Sequence, residues 1–183
     1  MNSYKSLESF IKHFNRNEYD ENDLIISDID GVFFKGIYDP REIIGIISRK
    51  NLKLFKTLLE TECAFWIFTN RLNFFRKFPF IKQLSKTMSD FSNSKIKIFT
   101  SSSDFLDYNN EKYAIILNAK KPKFESQKVV EKGIDDFKKV IYIGSQDTPF
   151  YYTDKKLLSL LAKQRPLDDF TFIEINPWKI NSL

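Results

Sequence analysis

The sequence predicts an α/β domain whose central, mainly parallel sheet is covered by helices on both faces. Two observations carry that class. Short apolar runs recur at 24–28, 64–68, 96–99, 113–117, 140–143 and 170–175, and segments with helical spacing separate most of them. Strands that alternate with helices make crossover connections, which join parallel neighbours. The runs are also nearly continuous in apolar residues rather than alternating, as in strands buried on both faces.

The elements follow in order. Leu7, Phe10, Ile11 and Phe14 recur at helical spacing and predict an amphipathic helix over 3–15. A polar run from Asn15 to Asn22 delivers the chain to the first strand, 24–28. Ser48 is a candidate cap for a helix through Glu60 with Leu52, Phe55, Leu58 and Leu59 as its buried stripe. Ala64–Phe68 is the second strand. The helical region after it is interrupted at Pro79 and resumes from Ile81 to Phe91. Ile96–Phe99 is a strand that Thr100–Asp104 leaves as a loop, and Tyr113–Leu117 is a further strand. The basic turn Lys120–Lys123 opens a helix ending near Gly133. Val140–Ile143, a helix over 153–164 and a last strand over 170–175 complete the chain. No linker, repeat or low-complexity segment interrupts it, so the expectation is one domain over 1–183, with a helical extension at 1–22 and a core at 24–175.

Composition narrows the function classes. A chain of 183 residues, 42% hydrophobic and 29% charged, suits a globular domain with one core, which its 19 phenylalanines help to fill. Cys63 is the sole cysteine, so no internal disulfide forms, and a reducing compartment fits. His13 is the sole histidine, which argues against Ser-His or Cys-His catalysis and against multi-histidine metal sites. No apolar run approaches a membrane span, and the polar N-terminus lacks a signal-peptide core. The expectation is a cytoplasmic protein without a membrane partner. The net charge of +5 comes from dispersed lysines, which reads as a solvated surface rather than a nucleic-acid footprint.

Chemistry concentrates at the ends of the apolar runs. Asp28 and Asp30 leave the first strand two residues apart, so on an extended backbone both carboxylates point to one side. Two carboxylates sharing a site repel unless a cation or a proton relieves them. Gly31 permits a sharp turn immediately afterwards. Thr69 and Asn70 end the second strand, Lys121 sits at a helix start, and Asp147 lies in the loop after the 140–143 strand. Carboxylates, a hydroxyl and an ammonium at one sheet edge suit phosphoryl transfer, with Mg²⁺ held by oxygen ligands.

These residues resemble the motifs of the haloacid dehalogenase superfamily, whose members are mostly Mg²⁺-dependent phosphatases with a Rossmann-like core. The resemblance spans 24 to about 175 and implies a three-layer α/β/α sandwich. Asp28-Ile29-Asp30-Gly31-Val32 matches the first motif, which makes Asp28 the nucleophile and Asp30 the general acid and base. Thr69 matches the second motif, a phosphoryl ligand, and Lys121-Pro122 the third. Asn70 and Arg71 are candidate substrate contacts. The fourth motif departs from the family pattern, with Ser145 and Pro149 at its usual acidic positions and Asp147 and Asp154 nearby. The implied metal ligands are Asp28, the main-chain carbonyl of Asp30, and Asp147.

No segment is long enough for a separate cap: 32–48 is short, and 72–95 reads as helix continuous with the core. The resemblance therefore implies a capless or minimally capped phosphatase, with a small phosphorylated metabolite as substrate and a second copy of the chain as an option for closing the site. Phe33, Phe34 and Tyr38 are candidates to line the cleft or an interface, or to pack on the core. A non-catalytic domain with a degenerate metal site and a nucleic-acid end phosphatase remain as competing readings.

Overall fold

Seven strands form one all-parallel sheet, and the helices divide between its two faces. The computed structural model describes residues 2–34, 46–108, 111–145, 153–164 and 166–176. The elements are β1 (Asn2–Tyr4), α1 (Leu7–His13), β2 (Leu24–Ser27), α2 (Arg49–Leu59), β3 (Ala64–Phe68), α3 (Pro79–Ser92), β4 (Lys97–Phe99), α4 (Ser102–Leu106), β5 (Tyr113–Ile116), α5 (Phe124–Asp136), β6 (Val140–Ser145), α6 (Thr153–Gln164) and β7 (Phe170–Ile175). Short 3₁₀ turns occupy Arg16–Glu18 and Asn73–Lys77. The strand order is β1-β7-β6-β2-β3-β5-β4.

Alternate side chains of each central strand enter opposite cores, as the two-residue period requires. Ile25, Phe65, Ile67, Ile141 and Ile143 meet α1, α2 and α3 through Leu7, Phe10, Phe55, Leu58, Phe80, Ile81 and Leu84. Leu24, Ile26, Trp66, Phe68 and Tyr142 meet α4, α5 and α6 through Phe105, Val129, Val130, Leu157 and Leu161. Burial on both faces explains why the strands read as continuous apolar runs. Connections moving towards β4 (through α1, α2 and α3) cross one face, and those moving towards β1 (through α4, α5 and α6) cross the other. That division is what a single crossover hand demands.

The topology also fixes where ligands can enter. β2 and β6 are neighbours, yet their onward connections leave in opposite directions, β2 to β3 and β6 to β7. Such a switch point opens a crevice at the carboxyl ends of the two strands.

Several local expectations change. The helix expected over 3–15 begins only at Leu7, because Asn2–Tyr4 pair with Ile173–Ile175 as an edge strand and Ser6 caps the helix. Pro79 does not interrupt a helix but opens α3 at its first position, where the missing N–H costs nothing. Thr100–Asp104 is not a plain loop: Ser101 caps α4, its hydroxyl accepting from the Asp104 amide at 3.0 Å. Ser48 does cap α2, with its hydroxyl accepting from Asn51 at 3.2 Å. No helix among the described residues is long and apolar enough to cross a membrane.

Gly133 does not end α5, which continues to Asp136. It marks the closest approach of that helix to the sheet: a Cβ there would lie 2.7 Å from Leu24 Cδ2 and 3.2 Å from Trp66 Cζ3. Leu24 and Trp66 are fully buried, so neither has room to retreat. Gly133→Val is therefore expected to lower stability by about 1–3 kcal/mol through overpacking, read as a lower midpoint in chemical denaturation with an unchanged slope.

Candidate active site

β2 delivers Asp28 to the switch point. The Asp28 amide continues the ladder by donating to Ile143 O at 2.9 Å, and its side chain falls on the α5–α6 face, the side that Leu24 and Ile26 occupy. One carboxylate oxygen, Oδ1, accepts from the Ile29 amide at 2.7 Å. The other, Oδ2, accepts from Lys121 Nζ at 3.0 Å. Gly31 has φ 71°, and the Val32 and Phe33 amides both return to Ile29 O, which closes a tight turn directly after the two aspartates.

Lys121 is the hub. Its side chain is fully buried, and Nζ donates to Asp28 Oδ2, to Asp154 Oδ1 at 2.5 Å and to Phe68 O at 3.1 Å, with Tyr142 Oη at 3.4 Å. The loop that carries it is laced to the end of β3. Asn118 N donates to Arg71 O (2.7 Å), Ala119 N to Thr69 O (3.0 Å) and Lys121 N to Asn70 Oδ1 (2.7 Å). Asn118 and Lys120 stand in the left-handed region, at φ 49° and 54°. Such positions cost on the order of 1–3 kcal/mol and persist where surrounding contacts over-determine them.

Asp154 is the second carboxylate on Lys121. It sits in the first turn of α6 and is almost fully buried. Its Oδ1 also accepts from Tyr142 Oη at 2.8 Å, and its Oδ2 from the Ser145 amide at 3.3 Å. Gly144 makes the room: a Cβ at that position would lie 2.7 Å from Asp154 Oδ2. Asp147, expected to complete the metal ligands, lies outside the described residues, as does Tyr38. Glu174, paired in register with Gly144, is buried, and its Oε1 has no hydrogen-bond partner among the described residues.

Charge explains the titration of the cluster. Two carboxylates face one ammonium, so the lysine is over-compensated and the aspartates are under-compensated. Burial opposes the charge on Lys121, but Asp154 and Asp28 outweigh it and hold its pKa above the ordinary lysine value. Burial pushes the Asp28 carboxyl from 3.8 up to about 7; Lys121 pulls it down, while Asp154 and Asp30 add to the rise. Burial, with Asp154 beside it, holds the Tyr142 hydroxyl protonated well above its ordinary range.

Asp30 faces a different partner. Arg71 donates through Nη2 to Asp30 Oδ1 at 2.6 Å and through Nε to Oδ2 at 3.0 Å. The guanidinium lies 4.6 Å from the Phe80 ring centroid, 5.2 Å from Phe75 and 5.4 Å from Phe34. Phe33 and Phe34 are buried in the core against Phe55 and Phe80, so their packing places them there rather than along an open cleft.

Thr69 is fully buried, and its hydroxyl accepts from the Arg71 amide at 3.3 Å. Asn70 clamps the Lys121 main chain, with its Nδ2 also reaching Lys121 O at 3.4 Å. Of the residues singled out in the sequence, Asp28 and Lys121 meet directly, and Asp30 meets Arg71 beside them. Sequence reasoning missed Tyr142 and the central place of Asp154. The available signal was the tyrosine itself, since a buried hydroxyl in an otherwise aliphatic strand needs a partner.

Comparison of the chain with protein-family models, with curated proteins and with solved structures found no match.

The raised Asp28 pKa fixes the sign of a stability effect. Between about 4 and about 7 the folded protein binds this proton more tightly than the unfolded chain, so the Asp28 contribution is present at low pH and is lost as pH rises through about 7. Asp28→Asn is expected to cancel that loss. Its stability relative to the wild type should rise from pH 4 to pH 7, measured by urea denaturation across the range.

Proposed function

We propose that the chain is a Mg²⁺-dependent phosphate-monoester hydrolase that works through an aspartyl-phosphate on Asp28. The observation that carries this reading is the Asp28–Lys121–Asp154 cluster at the carboxyl ends of β2 and β6, with Asp28 8% exposed and able to meet a ligand. A nucleophilic carboxylate, an ammonium that holds it in place and a second carboxylate beside that ammonium are parts such chemistry uses.

The donor set fits the metal in kind. The oxygens at the site suit Mg²⁺, which is commonly held by one or two carboxylates with several waters. Asp28 retains lone pairs after its two hydrogen bonds. Among the described residues Lys121 faces two carboxylates, a balance that a bound cation would redress. Among the described residues no group of three or more His, Cys, Asp or Glu could hold a metal. Asp28 and the Asp30 carbonyl are the assigned ligands, with Asp147 as the third. When bound, Mg²⁺ would neutralise charge on the phosphoryl oxygens.

The chain's own groups account for the remaining steps. An Asp28 oxygen bonds to phosphorus as the bond to the leaving oxygen breaks, and that oxygen takes a proton from Asp30. Water then attacks phosphorus, Asp30 takes the water's proton, and the Asp28–phosphorus bond breaks with its electrons returning to the carboxylate. Lys121 keeps Asp28 oriented throughout.

Release of inorganic phosphate from an aryl phosphate, with Mg²⁺ and with a chelator, is the test. Turnover is expected only with the metal. Asp28→Asn should abolish it, and Asp30→Asn should lower it by about 10²–10⁴-fold. Turnover by Asp28→Asn at the wild-type rate would sink the assignment. No release by the wild type under any metal condition would favour a non-catalytic domain.

A further inference from the structure

We propose that Arg71 is a positioning residue that holds Asp30 as the base for the second half-reaction, and that it does not bind the substrate phosphate. This rests on the phosphatase reading and specifies how that site is built.

The guanidinium is already committed. Its fork meets both Asp30 oxygens, at 2.6 Å from Nη2 and 3.0 Å from Nε, the bidentate geometry that gives an arginine–carboxylate pair directional strength. Its side chain is 6% exposed, and three phenylalanine rings stand within 5.4 Å of its carbon centre. A phosphate entering the crevice finds little of that surface to contact. The Asp30 side chain keeps 24% of its surface exposed, so the carboxylate, not the arginine, faces outward.

The main chain reinforces the arrangement. Arg71 N donates to Thr69 Oγ1, and Arg71 O accepts from Asn118 N, which ties the residue to both the β3 end and the Lys121 loop. Phe34, one wall of the cage, is bridged to Asp30 through the backbone. One turn thus carries both the base and part of the enclosure for its partner. The pairing fixes where the carboxylate sits and leaves its exposed edge toward the crevice. In the step it serves, water forms a bond to the phosphorus of the aspartyl-phosphate, its proton passes to Asp30, and the Asp28–phosphorus bond breaks to release inorganic phosphate.

Kinetics on a phosphate ester with a good leaving group distinguish the roles, because formation of the phospho-enzyme then needs little acid help. Arg71→Met should leave that first step within a few-fold of wild type and slow hydrolysis of the intermediate. The expected record is a burst of about one leaving group per enzyme, then a kcat lowered about 10²-fold, the scale of a 1 Å misplacement. KM should fall with kcat, so that kcat/KM stays nearly constant. Adding Arg71→Met to Asp30→Asn should cost little more, since the two act as a unit.

Arg71→Lys, which keeps the charge but loses the fork, should show the same burst and serves if Arg71→Met fails to fold. A raised KM with lowered kcat/KM and no burst would make Arg71 a phosphate ligand and overturn the inference while leaving the phosphatase reading intact. Additive losses in the double variant, with a lower unfolding midpoint, would assign it a purely structural role and overturn it likewise. A wild type that releases no phosphate would overturn both together.

Discussion

The ammonium of Lys121 is the constraint on which the remainder depends. Removing such a charge from water costs several kcal/mol, and the cost is recovered only when good geometry surrounds it. Here the surroundings are two carboxylates and a main-chain carbonyl, drawn from β2, β3 and α6, while the loop after β5 carries the lysine itself. The contact is demanding in both directions. Without the lysine, Asp28 and Asp154 would be two buried negative charges side by side; without either carboxylate, the lysine would be under-compensated. One long side chain thereby sets the relative positions of most elements around the crevice.

A second ion pair lies nearby but is built on another principle. Arg71 is surrounded by aromatic faces, which supply attraction to a cation without adding another anion. Lys121 is surrounded by oxygen atoms, which add negative charge. The two cations therefore prepare opposite environments for the two aspartates. Asp28 is pushed towards its neutral form by burial, whereas Asp30 is held by both arms of a guanidinium fork. Carboxylates two residues apart in the sequence are separated chemically by their partners.

The central strands were legible because both of their faces are buried, which forces a run of apolar residues whatever the tertiary detail. Ser48 and the helix beginning at Thr153 were legible from local capping and periodicity. The edge strand β1 was not: Asn-Ser-Tyr carries no strand signal and exists only because β7 offers an unpaired side. Gly133 reads as a helix stop until Leu24 and Trp66 are seen beneath it. That Asp28 and Lys121 share one sheet edge was legible from their places at the ends of the apolar runs, while the use of Asp154 depends on a gap left by Gly144, a property of packing with no local signature. Arg71 reads in sequence as a candidate substrate contact, and only the folded turn brings Asp30, Phe34 and Phe80 around it.

The position of β2 in the sheet has a consequence for how the protein comes into being on the ribosome. β2 lies between β3 and β6, and the loop that leads into it is tied to the start of β6 by a hydrogen bond from Lys139 N to Asp23 Oδ1, across 116 residues. At synthesis rates of about 5–20 residues per second, one side of this strand waits on the order of ten seconds for its neighbour. Throughout that interval Leu24, Ile25 and Ile26 present an unpaired, uncharged edge, the kind that recruits other chains. β1 waits longer, but it is short and polar and tempts no such partner. The strand that carries Asp28 is thus also an aggregation hazard of the nascent chain, and the late arrival of β6 both removes that hazard and assembles the crevice.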